Sequence, residues 1–454
     1  MSSTLHSPPR QNQSPLVSAA PESTTPGRDY IRLFRDYPDK DQLLAEIRGA
    51  AFDGIELFAG REVRKKVEQA GLPLLHRYYP AEYVNLLQTY VNERTTRRVI
   101  TWSAKLGREC VGILNDFHVQ DLLIVRLHYP HDEPAASVAE VKEPSLAQRM
   151  RWGFGARIES VKAALTSGTA LRHPAEMIKY LKQRKGRERE LLPYQCHGPH
   201  LDSWLGQPIG SLSVWLAVSG VEQDNSMCLY PETVDESLPQ SASLFLGSGR
   251  QLPKPTRPEI QDGDVYVFST EILHSSQVNI SGKTRFALTT RISAGTPVFD
   301  GSNLWFIERW HLANELLAGK YKCRTIRASE HILHRPAGKP QPTTPTLHVE
   351  GTLERGRPRP VAKSGALPEG KRVVVEFSDG RRILILRLDG TLTAFAARCP
   401  HAGYRMEDGW YDNRWMACPG HGLEFDTRTG ESKVDCFRLA KYDVTESNGM
   451  IFLG

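Results

Sequence analysis

The chain has 454 residues, 40% of them hydrophobic and 24% charged, a globular composition with ample material for a sizeable core. Lys and Arg number 58 against 52 Asp and Glu, and a net charge of +6 over this length is too weak to imply nucleic-acid binding. No apolar run reaches the roughly 18 residues of a membrane span, and the N-terminus lacks the apolar stretch of a secretory signal.

At roughly 100–200 residues per domain, two to four domains are expected. Seven cysteines form an odd set without disulfide-framework spacing, which fits a reduced, cytoplasmic protein. The basic run Arg184–Lys185–Gly186–Arg187 is broken by Glu188 and Glu190 and reads as a solvated helix face. Residues 1–28, rich in Ser, Pro, Thr and Gln, read as a disordered leader.

Residues 29–335 read as one compact region. Its first half carries helical periodicity, as in Asp41–Ile47 and Tyr83–Leu87. Its second half turns to short β-rich runs at 211–218, 242–246, 264–268 and 285–290, separated by Gly, Pro, Asn and Asp. Helices followed by short strands suggest an antiparallel sandwich or barrel with helices packed outside. Residues 336–347 read as a stiff Pro-rich linker that spaces domains rather than fusing them. In 348–454, Asp379–Gly380 and Asp389–Gly390 sit between β runs, a hairpin signal for a small all-β domain.

Two constellations carry chemistry. In the first, His200-x-Asp202 would project two ligands to one side of a strand. A third ligand for a two-His-one-carboxylate face is His274, after a strong strand, and Arg285 opens the next strand eleven residues on. Such a face leaves positions open on Fe(II) for a chelating oxo-acid and O2. His-x-Asp alone is more often surface polarity; the downstream His and Arg in strand context are what raise it to a metal site. His197 reads as a group behind the ligands or as plain loop. Asn225 and Asn279 read as turn formers, and Trp215 as core packing. Arg291 competes with Arg285 for the oxo-acid. The pairs His128/His131 and His331/His334 read as surface loop.

The second constellation is Cys399-x-His401, sixteen residues, then Cys418-x2-His421. Two Cys–His pairs on two loops can hold one zinc or a two-iron cluster. One thiolate and one imidazole per loop suits an asymmetric [2Fe–2S] cluster, with Cys399 and Cys418 on one iron and His401 and His421 on the other. Pro400, Gly403, Pro419, Gly420 and Gly422 allow tight turns there.

The C-terminal text CPH…G and CPGHG, followed by FD and TG, resembles the Rieske family over the last ~100 residues. Respiratory members carry an extra cysteine in each loop. Here Tyr404 or its neighbours and Gly420 stand in those places and Cys436 lies outside the loops, so the domain looks like the ferredoxin type of oxygenase systems. The middle region resembles the Fe(II)/2-oxoglutarate dioxygenases, in particular their phytanoyl-CoA dioxygenase-like branch. Beyond the triad, LSVWLAVSGVEQDNSMCLYPET and the order His274, Asn279, Arg285 carry that resemblance. A PGSH-like turn is missing, with only Tyr230–Pro231–Glu232 in its place. The helix D-x2-H-x4-H found with Rieske oxygenases is absent too, and the domain order is inverted relative to theirs.

The resemblances imply a mostly β protein with helices: a double-stranded β-helix (jelly-roll/cupin) catalytic domain plus a small all-β Rieske domain. They imply an Fe(II)-dependent oxygenase using O2 and 2-oxoglutarate on an unactivated C–H of a small-molecule substrate. Catalysis would centre on His200, Asp202 and His274, Arg285 would pair with the distal carboxylate of 2-oxoglutarate, and the cluster would deliver electrons. Two alternatives stand beside this. One is an oxygenase driven by the cluster and a separate reductase, without stoichiometric 2-oxoglutarate. The other is a redox or iron sensor that does not turn over. A ferredoxin or reductase donor and a homo-oligomer are open as partners; nucleic acid and membrane are not expected.

Overall fold

The computed structural model describes residues 26–131, 133–136, 192–194, 196–240, 246, 252–300, 307–327, 332–333, 344–354, 356–400, 403–411, 414–419, 423–432 and 437–454. Most of the leader, the basic run at 184–187, His331, His334, Gly420, Gly422 and Cys436 lie outside the described residues.

The N-terminal domain opens with β1 (Ile31–Phe34) and three helices, α1 (Lys40–Ala59), α2 (Arg61–Ala70) and α3 (Val84–Leu106). There follow β2 (His118–Gln120), β3 (Ile124–His128), β4 (Ile209–Ser219), β5 (Met227–Tyr230), β6 (Val265–Ser269), β7 (Leu273–Ser276) and the 16-residue β8 (Arg285–Asp300). The domain closes with β9 (Ile307–Leu312), β10 (Arg324–Arg327) and β11 (Ile332–Leu333). Nine of these strands form one sheet with the path β1-β6-β4-β8-β2-β9-β10, and β3 and β11 also pair with β8. The remaining two, β5 and β7, make a separate antiparallel pair.

Strand periodicity splits the large sheet into two faces. On one face Leu212, Val214 and Leu216 of β4, Val265 and Val267 of β6, and Phe286, Leu288 and Ile292 of β8 pack in one cluster with α1 and α3. Helix α1 offers Leu43, Ile47, Ala51 and Ile55, a four-residue repeat that lines one side of the helix. Leu43, Ile47 and Ile55, all fully buried, each contribute roughly 1.5–3 kcal/mol. The intervening residues point the other way. Trp215, Ala217, Tyr266, Phe268 and Ala287 meet Met227 and Leu229 of the small sheet. The two sheets thereby face each other, and the space between them, called the chamber below, is bordered by this packed cluster and by the polar residues at the same alternate strand positions.

The C-terminal domain contains β12 (Thr346–Val349), β13 (Arg359–Lys363), β14 (Arg372–Phe377), β15 (Arg382–Leu388) and β16 (Thr391–Ala396). Its second half contains β17 (Trp410–Tyr411), β18 (Trp415–Ala417), β19 (Glu424–Asp426), β20 (Lys441–Tyr442), β21 (Val444–Ser447) and β22 (Met450–Leu453). They form three sheets, ordered β12-β14-β15-β16-β20, β13-β22-β21 and β17-β18-β19. Asp389 and Gly390 have φ of 52° and 69°, the paired positive values that a two-residue hairpin turn requires between β15 and β16.

Two expectations about the join are corrected. Thr346 and Leu347, placed in the linker, already pair with Val374 and Val375 in β12–β14. The domains are also not held apart. Trp410 and Ala417 share a buried cluster with Trp204, Cys228, Tyr230, Leu238, Leu246, Leu252 and Leu273, and the Leu252 amide donates to the Tyr411 carbonyl at 2.9 Å. Pro-rich composition sets the stiffness of the connecting segment; the apolar side chains on both sides of the join decide whether the domains dock.

Candidate metal centres and their chamber

His200 and His274 are brought together by an isolated antiparallel bridge, with reciprocal backbone hydrogen bonds of 2.9 and 3.1 Å. Asp202 does not continue a strand, as the His-x-Asp spacing suggested; it opens a 3-10 turn, Asp202–Leu205. Convergence survives because the turn swings the carboxylate back under both rings. His200 Nε2 is 4.0 Å and His274 Nε2 is 3.8 Å from Asp202 Oδ1. All three residues are buried or nearly so.

The ligand atoms are prepared by their surroundings. Nδ1 of His200 lies 2.7 Å from the Gly198 carbonyl, and Nδ1 of His274 lies 2.9 Å from that of Ile272. A carbonyl only accepts, so each Nδ1 keeps its proton and each Nε2 presents a lone pair toward Asp202. Burial, reinforced by His274, pushes His200 down to about 3, and burial likewise lowers His274. Burial alone would raise the Asp202 carboxyl, but Arg291 and the two imidazoles together outweigh it and hold it well below the usual range. Arg291 donates from Nη2 to Oδ1 at 2.9 Å and from Nε to Oδ2 at 3.2 Å, and the Ser213 hydroxyl also donates to Oδ2. Two neutral imidazoles and an ionised carboxylate converging within 4.8 Å fit a single divalent metal ion.

Three arginines reach the chamber. Arg291 is on Asp202. Arg285 gives Nη1 to the carbonyls of Asn225 and Ser226 at 2.6 and 2.7 Å, and its Nη2 lies 2.9 Å from His128 Nδ1. The third, Arg126, was not foreseen. It pairs across from Ala287 in the β3–β8 register, and its Nη1 is 3.4 Å from both ring nitrogens of His197. His128, expected in a surface loop, is instead a buried residue of β3 opposite Arg285. The signal was in the sequence: Arg126 and His128 are alternate polar positions in the otherwise apolar strand IVRLH. Asn225 and Asn279 hold turns, donating to the carbonyls of Gly220 and of His128 and Lys283. Trp215 is packed in the chamber wall.

Among the described residues one other group has metal-ligand chemistry, Asp121, His311 and Cys323, where the sheet ends in β9 and β10. Arg309 lies 3.1 Å from the Asp121 carboxylate and donates to the Cys323 sulfur, so a guanidinium already balances that group.

In the C-terminal domain, Cys399 and Cys418 are 2% and 0% exposed. Each starts a loop closed in the same way: the Cys399 amide donates to the Tyr404 carbonyl and the Cys418 amide to that of Leu423, at 2.8 and 2.9 Å. Gly403, with φ of +72°, makes the turn of the first. His401 and His421 fall inside these loops and lie outside the described residues. Both cysteines belong to a buried cluster that also contains Cys196 and Val278 of the N-terminal domain. Cys196 is four residues before His200, and Val278 four after His274. The paired loops thus rest against the two segments that carry the histidines of the chamber.

Two buried cysteines at the start of paired loops on a small all-β domain fit an iron–sulfur domain. Residues 357–441 match the Rieske [2Fe-2S] domain family. The chain is 36% identical over 75 residues to the ferredoxin component of the naphthalene 1,2-dioxygenase/salicylate 5-hydroxylase systems of a Ralstonia species, spanning 16% of this chain and 69% of that protein. It is 32% identical over 66 residues to the ferredoxin component of the naphthalene 1,2-dioxygenase system of Pseudomonas aeruginosa, 14% of this chain and 62% of that one. Among solved structures, the ferredoxin of carbazole 1,9a-dioxygenase from Nocardioides aromaticivorans IC177 is 26% identical and aligns with 21% of this chain and 96% of its own, at a TM-score of 0.20. Through its C-terminal domain the chain belongs to the Rieske [2Fe–2S] family. No helix among the described residues is long and apolar enough to cross a membrane.

Proposed function

We propose that the protein is a non-haem iron oxygenase. It would use O2 and 2-oxoglutarate to hydroxylate or otherwise oxidise an unactivated C–H of a small molecule, with the Rieske domain delivering electrons. The observation that carries this reading is the convergence of two Nε2 lone pairs on the ionised Asp202. In this reading the large sheet and the β5–β7 pair are the two walls of a double-stranded β-helix. Fe(II) on His200, Asp202 and His274 would supply O2 activation. The chain's own residues prepare the place: Gly198 and Ile272 fix the imidazole tautomers, while Arg291 and Ser213 orient the carboxylate. Trp215, Tyr266 and Phe268 keep the chamber wall apolar, and Arg285, with its neighbours on β3, offers positive charge to the oxo-acid.

A 2-oxoglutarate oxygenase balances its electrons without a cluster, so the fused domain implies an additional electron at some step. It would either re-reduce iron oxidised in an uncoupled cycle or replace the oxo-acid as electron source. The second use defines the other reading, a reductase-fed oxygenase, and the packing of Cys399 and Cys418 with Cys196 and Val278 favours keeping it. The ferredoxin components among the relatives support a role in electron delivery for this domain. Succinate release is the test. Succinate formed in step with product, with or without an external reductant, is expected. Product formation that needs the reductant and yields no succinate overturns the first reading in favour of the second, and no turnover under either condition favours a sensor.

A further inference from the structure

We propose that Arg126 is the anion anchor of the chamber, its guanidinium gripping a carboxylate of the acid that binds beside the triad. The proposal rests on the oxygenase reading only for the identity of that acid.

The argument is an account of where three guanidinium forks point. Arg291 spends Nε and Nη2 on Asp202. Arg285 has Nη1 on two backbone carbonyls and Nη2 against His128, leaving only a buried Nε without a partner. To grip a carboxylate with two parallel bonds, Arg285 would first have to release the Asn225–Ser226 turn or His128. Arg126 has no such commitments among the described residues. Its hydrogen-bonding neighbour among them is the His197 ring, and Nη1 sits 3.4 Å from both ring nitrogens, longer than a good hydrogen bond. An imidazole brings no negative charge, and among the described residues no carboxylate pairs with Arg126.

A guanidinium held inside a protein without a counter-ion is costly. Among the described residues, Arg126, Arg285 and Arg291 share the chamber with one carboxylate, Asp202, which Arg291 already engages, so positive charge is in surplus there. The missing partner is therefore an acid. The neighbours across the sheet are small: the residue across from Arg126 is Ala287, and across from that is Ala217. The open fork matches a carboxylate in shape and charge. The His197 ring that Arg126 faces lies with its centroid 6.1 Å from that of His200, which places the guanidinium on the triad's side of the chamber.

The test is titration calorimetry on the full chain loaded with Zn(II), which occupies the triad without turnover. The probes are 2-oxoglutarate, succinate and inorganic phosphate, against wild type, Arg126→Leu, Arg126→Lys and Arg285→Leu. The expected result is at least a tenfold loss of acid binding in Arg126→Leu and partial retention in Arg126→Lys. Arg126 makes no short hydrogen bond or ion pair among the described residues, so Arg126→Leu, relieved of an uncompensated charge, should melt at or above the wild-type temperature, which separates lost binding from lost folding. Arg126→Leu binding the acid like wild type overturns the proposal, as does a wild type that binds none of the three anions. Binding of succinate or phosphate that depends on Arg126, without binding of 2-oxoglutarate, leaves the anchor standing and removes the 2-oxoglutarate reading.

Discussion

The two domains gather their candidate ligand residues in opposite ways. The C-terminal domain keeps Cys399, His401, Cys418 and His421 in two short loops, each closed by one amide-to-carbonyl hydrogen bond. The N-terminal domain assembles its chamber from β3, the His200–Asp202 segment, β7 and β8, spread from Arg126 to Arg291. A local constellation survives as a sequence pattern because its geometry is set by a few turns. A dispersed one depends on strand register, and a one-residue slip in β8 would turn both Arg285 and Arg291 out of the chamber.

Independence of the two centres is the sharpest question this contrast raises. Ligand counting gives about three irons per chain, two in the cluster and one on the triad. Changing Cys399 and Cys418 together to Ser should remove two irons and the Rieske EPR signal while one iron stays. Loss of all three would mean that the chamber depends on the docked domain, through Cys196 and Val278, and the contrast would fail.

The reverse experiment is Asp202→Ala. It should empty the triad and leave the cluster spectrum intact. It also strands Arg291 without its partner in a buried position, a loss of about 3–5 kcal/mol. Adding Arg291→Met should restore the melting temperature but not the iron. A double variant as unstable as the single one would show that Asp202 stabilises the fold by another route.

Docking itself is tested at Trp410, which is buried against Trp204, Tyr230 and Leu273. Trp410→Ala should cost about 3–5 kcal/mol if the ring is packed as tightly as an interior aromatic. Limited proteolysis should then cut between the domains. An unchanged cleavage pattern would mean that the shared cluster contributes little to holding the domains together.

Much of this layout was legible in the sequence, for identifiable reasons. The hairpin at Asp389–Gly390 and the strands on either side of it follow from a turn chemistry that few dipeptides satisfy. The convergence of His200, Asp202 and His274 was legible because their types and order match a two-His-one-carboxylate face. The backbone that joins them was not. Spacing cannot tell a strand from a 3-10 turn when both return the carboxylate to the rings. Arg126 and His128 were missed because their strand lies more than 70 residues before His200, and their facing is fixed only by pairing with β8. Arg285 was assigned from its position after His274, and position is silent on whether its nitrogens already have partners. The docking of the domains was hidden for a similar reason: Trp410 and Leu252 look like ordinary core residues until the chain brings them together.

A smaller effect asks whether the two domains melt as one body. Glu93 lies on α3, far in sequence from either centre, and its Oε1 is buried without a partner. Burial pushes its carboxyl up from 4.5 to about 7, with Arg94 opposing. The folded state therefore holds a proton that the unfolded chain has released between these two values, and stability falls as pH rises through that window. Glu93→Gln removes the titration while keeping the shape. It should change little near pH 4.5 and stabilise by about 1 kcal/mol at pH 8, a figure kept small because the side chain is only partly withdrawn from water. An equal gain at both pH values would mean that the carboxylate is not the cause. The informative readout is double, helix content by circular dichroism and cluster integrity by visible absorbance. If the shared cluster joins the domains cooperatively, the variant raises both transitions together at pH 8. A shift confined to the helical signal would separate the chamber domain from the Rieske domain on heating.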